Sequence, residues 1–133
     1  MKATIALALL ATPLAACTSP VARVQALSRA DREVSAAVAD QVRRCYRAPR
    51  VPSAGRGIVT RLLVRYAPDG GLLGLPLLVW QQGVTPQGRP YAGKMSEAAR
   101  LAIIQCSPVR LPAEPGKQRP SDFYLTFSPG LRA

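Results

Sequence analysis

Apolar positions between residues 28 and 46 recur with a helical period. Val34, Val38, Val42 and Cys45 fall at i, i+4, i+8 and i+11 on one stripe, with Arg32, Asp40 and Arg43 away from it. Ser28 suits an N-cap, and Asp31 is favourable in the first turn. Pro49, Pro52, Gly55 and Gly57 end this helix in a loop. Over residues 58–66 the period changes to two. Ile58, Thr60, Leu62, Val64 and Tyr66 point one way and Arg61 and Arg65 the other, as in a half-buried strand of an antiparallel sheet. Pro68-Asp69-Gly70-Gly71 signals a turn. Leu72 to Trp80 then reads as a second strand that completes a hairpin. Pro76 lies within it, and proline cannot donate to a ladder, so the strand sits at a sheet edge or carries a bulge. Residues 82–93, with two prolines and three glycines, read as a polar loop. A second helix is expected over Lys94 to Gln105, its stripe being Met95, Ala99, Ala102 and Cys106. That stripe is rich in alanine, which lets the helix approach a sheet closely. Residues 108–120 contain four prolines and read as irregular. In Asp122 to Ser128, Phe123, Leu125 and Phe127 alternate against Tyr124 and Thr126, a third strand.

The expected order is helix, strand, strand, helix, strand. Three antiparallel strands can bury one face under two helices, which gives a two-layer α+β domain. The chain shows no internal repeat and no second domain.

Residues 1–16 have a different character. Lys2 supplies a positive start, and Ala3 to Ala11 form an apolar run too short for a bilayer that needs ~20 residues. Pro13 breaks this run before Leu14-Ala15-Ala16-Cys17, which resembles a bacterial lipobox. That resemblance implies a lipoprotein signal peptide over residues 1–16, a lipid on the Cys17 thiol and a tether over residues 17–27. The folded domain would then occupy residues 28–133. Thr18 rather than Asp after the cysteine points to the periplasmic face of the outer membrane. The ordinary alternative is simple secretion by cleavage after a small-residue triplet.

The cysteine count of three is odd for an exported protein. With Cys17 assigned to lipid, Cys45 and Cys106 remain. In an oxidising compartment they can pair, and closing that loop would stabilise the fold by roughly 4 kcal/mol in the entropic account. Two buried free thiols are the alternative.

The chain carries 18 Lys plus Arg against 7 Asp plus Glu, and fifteen of the eighteen are Arg. This balance suits an acidic protein, an anionic surface or nucleic acid. The arginines are scattered, and no basic helix or ribbon with base-reading side chains is visible, so nucleic acid is not the expected partner. Histidine is absent, which removes the commonest general base and metal ligand. The acids are dispersed, and Ser53 and Ser96 lack the neighbours of a nucleophile. No catalytic, cofactor or metal site is expected.

Several segments, in order, resemble the TolA/TonB C-terminal domain family. They are Val42-Arg43-Arg44-Cys45-Tyr46, Val64-Arg65-Tyr66-Ala67-Pro68-Asp69-Gly70, Gly74-Leu75-Pro76, Ala98-Ala99-Arg100-Leu101-Ala102-Ile103, Cys106-Ser107-Pro108, Leu111-Pro112 and Leu125-Thr126-Phe127-Ser128-Pro129. The resemblance covers about Val38 to Pro129 and implies a non-enzymatic module that binds envelope proteins. TolA itself carries such a domain on an inner-membrane helix and a long periplasmic linker, and engages partners such as TolB. This chain has neither that helix nor that linker, and Ala113 to Ser121 lacks the aromatics that relatives often carry there. TolB-like or other Tol-system components are the partners the resemblance suggests, together with a membrane reached through the N-terminal lipid.

In that topology strand 58–66 is central, with 72–80 on one side and 122–128 on the other. Pro76 blunts one edge. The other has no proline, and an unpaired edge is a template for strand addition. Phe123, Tyr124, Leu125, Thr126 and Phe127 are therefore the expected docking edge, unless the proline-rich loop before them covers it. Trp80 and Tyr91 can line a groove or pack at a hairpin end. Arg61 and Arg65 can meet an acidic partner or simply solvate a sheet face. A further functional reading is a structural or inhibitory basic lipoprotein that holds anionic envelope components through its charge.

Overall fold

Residues 21–48 contain neither proline nor glycine, and one helix covers most of this stretch. In the computed structural model, which describes residues 20–112 and 121–130 with side chains from Arg29 onward, α1 runs Pro20–Cys45. It therefore starts earlier than an N-cap at Ser28, and residues 20–27 are helical where a tether was expected. The nearest residue that resists helix is Pro20, which is tolerated in a first turn, whereas a serine inside a run of helix formers is no stop signal. Pro49 ends the run, and Arg43 and Arg44 in the last turn complement the helix dipole. Val38 and Val42 are fully buried, with Val34 and Cys45 packed at the margin of the core.

A short 3₁₀ turn, Ser53–Gly55, leads to β1, Val59–Tyr66. Its alternation is as expected: Thr60, Leu62, Val64 and Tyr66 are buried, as is Ile58 just before it. The turn after β1 closes through Ala67 N–H to Gly71 O at 2.7 Å and Gly70 N–H to Ala67 O at 2.8 Å. Gly70 has φ +86°, and Val109 lies so close that a side chain there would strike its carbonyl.

The second strand departs from expectation. It occupies Leu77–Gln82 (β2), and Leu72 makes only an isolated bridge to Tyr66. Gly74 at φ +74° and Pro76 break the ladder between them, so Pro76 precedes the strand instead of lying within it. The register shifts between Arg61 and Leu62, which pair with Trp80 and Leu78, so Val79 bulges out.

The second helix, α2, spans Arg89–Gln105, five residues longer at its start than the pattern suggested. Pro90 lies in its first turn, where a missing N–H costs nothing, so a residue that reads as a loop marker opens the helix. Met95, Ala99, Ala102 and Ile103 are buried. The last strand, β3, is Ser121–Phe127, and Phe123, Leu125 and Phe127 point into the core.

The sheet has the order β2-β1-β3, antiparallel throughout, with β1 central. Both helices lie on one face, and the core cluster joins Val38 and Val42 of α1, Ala99 and Ile103 of α2, and Leu62, Val64, Phe123 and Leu125 of the sheet. This is the two-layer α+β arrangement. Burial of each large apolar side chain contributes about 1.5–3 kcal/mol, and truncating Leu62 to Ala at the centre would cost about 2–5 kcal/mol. Thr60 is buried in this layer and is satisfied by Gln81, whose Nε2 donates to Thr60 Oγ1 at 3.0 Å and to Ala92 O at 2.8 Å. One amide thus ties β2, β1 and α2 together.

Candidate functional site

The β3 strand pairs with β1 through seven residues, from Thr60↔Phe127 to Tyr66↔Ser121. On its other side it pairs with no strand among the described residues. The proline-rich segment expected to compete for this edge, residues 113–120, lies outside the described residues. Tyr124 and Thr126 are exposed on the sheet's outer face, while Phe123, Leu125 and Phe127 anchor the strand from within. The five residues named for the edge thus form one continuous strand at the sheet margin.

Between this strand and α1 lies a small groove of about 30 Å³, lined by Ala39, Val42, Arg43 and Tyr46 of the helix side and Leu125, Thr126 and Phe127 of β3. Its walls are mostly apolar, and Arg43, engaged with Asp40 at 3.0 Å, supplies a cationic rim. Tyr46 is 2% exposed, and its ring lies against Phe127 with centroids 5.1 Å apart. The Tyr46 hydroxyl has no hydrogen-bond partner among the described residues. Burial also pushes its pKa up from the ordinary tyrosine value, so the group is a neutral phenol at physiological pH. Sequence reasoning treated Tyr46 as part of a helix end. No local pattern marks a tyrosine as a groove wall, because β3, on the opposite wall, lies far along the chain.

Arg61 and Arg65 behave differently from each other. Arg65 Nε donates to Asp122 Oδ1 at 2.6 Å and Nη2 to Asp122 Oδ2 at 2.9 Å. The guanidinium holds the exposed Asp122 carboxyl below its ordinary range. Among the described residues Arg61 makes no such pair; its guanidinium lies 4.8 Å from the Tyr124 ring and 5.9 Å from the Trp80 ring. Trp80 and Tyr91 do not share a groove. Trp80 is on the open face beside Arg61, whereas Tyr91 is in the first turn of α2 near Gly55, in the helical layer.

The Cys45–Cys106 pair is a disulfide with a Cα–Cα distance of 5.8 Å, so the free-thiol alternative falls away. Cys17 lies outside the described residues. No described helix is long and apolar enough to cross a membrane. Among the described residues no three His, Cys, Asp or Glu cluster as metal ligands. A wider cleft of about 870 Å³ is lined by residues 48–51, Arg56, Pro129 and Gly130; among the described residues its polar side chains are Arg50 and Arg56, and no acid or nucleophile lines it.

Comparison with protein-family models, with curated proteins and with solved structures finds no match.

Proposed function

We propose that this chain is a non-enzymatic binding module of the bacterial envelope, similar to TolA/TonB C-terminal domains, that captures an extended segment of an envelope protein along Phe123–Phe127. The observation that carries this reading is the edge of β3, which pairs with no strand among the described residues, beside the groove walled by Tyr46 and Phe127. A segment laid against that edge exchanges backbone hydrogen bonds with β3, and small side chains of the segment fit the narrow groove. A segment that parts the groove walls would also reach the Tyr46 hydroxyl, which in the free chain is enclosed and has no partner among the described residues. The helix-strand-strand-helix-strand order is the one that the sequence pattern predicts. A lipid on Cys17 would hold the module at the periplasmic face of the outer membrane, where TolB-like or other Tol-system components are available.

The test places a photo-cross-linking amino acid at position 126 in cells and identifies what is captured by mass spectrometry. Capture of a defined envelope protein at 126, and not at exposed Glu97 on α2, supports the reading. Equal yields at both positions, or no protein at either, overturns it.

A further inference from the structure

The sheet face turned away from the helices carries Leu63 and Arg61 from β1, Leu77 and Trp80 from β2, and Tyr124 from β3. Leu73 and Leu75, in the connection that precedes β2, and the bulged Val79 are exposed beside it. Leu75 is 76% exposed, Leu77 61% and Tyr124 55%. Isolated exposed leucines need no explanation, but a run of them on one margin marks a contact surface. Residues 70–88 carry no charged side chain at all.

Three observations choose the occupant. Pro76 and the bulge at Val79 spoil the β2 backbone edge for pairing with another strand, so the ridge offers side chains and not a ladder. Behind the leucines, Arg61 lies across both Trp80 and Tyr124, a set of side chains with apolar bodies and polar tips suited to the boundary between water and lipid headgroups. Finally, the chain has a net charge of +11, and Asp122, the acid on this face, is already neutralised by Arg65. That favours an anionic surface.

We propose that this open face docks onto an anionic phospholipid bilayer. Leu75 and Leu77 enter the boundary of the acyl region, Trp80 and Tyr124 lie at headgroup level, and Arg61 meets lipid phosphate. The interaction uses side chains of the face and leaves the β3 backbone edge free, so it stands or falls independently of strand addition.

Trp80 is the chain's single tryptophan, so its fluorescence reports on this face alone. The experiment adds the full chain to vesicles of phosphatidylglycerol and phosphatidylethanolamine, with and without nitroxide-labelled lipid. The expected result is a shift of Trp80 emission to shorter wavelength, quenching by the nitroxide lipid and protection from aqueous acrylamide. Vesicles of phosphatidylcholine alone should give a much smaller shift. The double variant Leu75→Asp with Leu77→Asp, whose positions are exposed and whose helical circular dichroism should be unchanged, should lose the shift. Trp80 emission that stays unchanged while the chain floats with the vesicles would overturn the proposal. So would an equal response to phosphatidylcholine, an unimpaired double variant, or a shift that grows with protein concentration without lipid, which would indicate a second copy.

Discussion

The side-chain amide of Gln41 grips the backbone of Arg110 from both sides: Arg110 N–H donates to Gln41 Oε1 at 2.7 Å, and Gln41 Nε2 donates to Arg110 O at 2.9 Å. The chain leaving α2 is thereby fastened to α1 as though by one rung of a ladder. Val109 N–H donates to Gly70 O at 2.9 Å, so the same stretch also seals the hairpin turn. Replacing Gln41 by Ala leaves both Arg110 groups to find other partners, and a loss of about 1–2 kcal/mol in urea unfolding is expected. A change below about 0.5 kcal/mol would show that water substitutes fully.

The disulfide joins the C-terminal ends of the two helices across 61 residues of chain. A closed loop of that length restricts the unfolded state by about 4 kcal/mol, a large part of the 5–15 kcal/mol that holds an ordinary domain folded. Cys45→Ser with Cys106→Ser should lower the denaturant midpoint accordingly. Dithiothreitol should lower the parent chain by a similar amount and leave the double variant unmoved.

Most of this fold was legible because its elements carry clean periods. The alternation in β1 and β3, the valine stripe of α1 and the Pro-Asp-Gly-Gly turn all stand where the pattern puts them. Boundaries failed where a residue has two meanings. Pro90 and Gly93 read as loop, yet the first suits a helix start and the second is tolerated within one turn of it. Pro76 reads as an edge strand, yet with Gly74 it ends pairing altogether until Leu77. The strand edge of the site was legible from alternation, but its groove was not, because Tyr46 and Phe127 are neighbours only through the third dimension.

Alkaline pH should weaken the fold through Tyr66. It is fully buried, its hydroxyl has no hydrogen-bond partner among the described residues, and burial pushes its pKa up to about 12 from the ordinary 10.0. The folded state thus resists ionisation that the unfolded state accepts. The related stability is complete below about pH 10 and falls away as the pH rises toward 12, by about 2–3 kcal/mol for a shift of that size. Tyr66→Phe should flatten this decline without lowering stability at pH 7, because no hydrogen bond is lost. A residual slope is expected from Tyr46, which burial shifts in the same direction. An unchanged decline in the Tyr66→Phe variant, measured by urea unfolding at pH 8 and pH 11, would assign the alkaline weakness to other groups.

The Tyr46 hydroxyl separates folding from docking. Among the described residues it has no partner, so Tyr46→Phe should leave thermal unfolding unchanged or slightly later. The ring keeps its contact with Phe127, and the groove keeps its apolar walls. A segment bound along β3, by contrast, would lose one hydrogen bond to that hydroxyl, worth about 0.5–1.5 kcal/mol, or roughly two- to tenfold in affinity. The measurement is the cross-linking yield at position 126 as a function of partner concentration, for the parent and the Tyr46→Phe chain at equal expression. Weaker capture with unchanged unfolding is the expected result, since only an interaction formed on binding can produce it. Equal capture would mean that the hydroxyl takes no part, and the segment would then be held by the β3 backbone and the apolar walls alone.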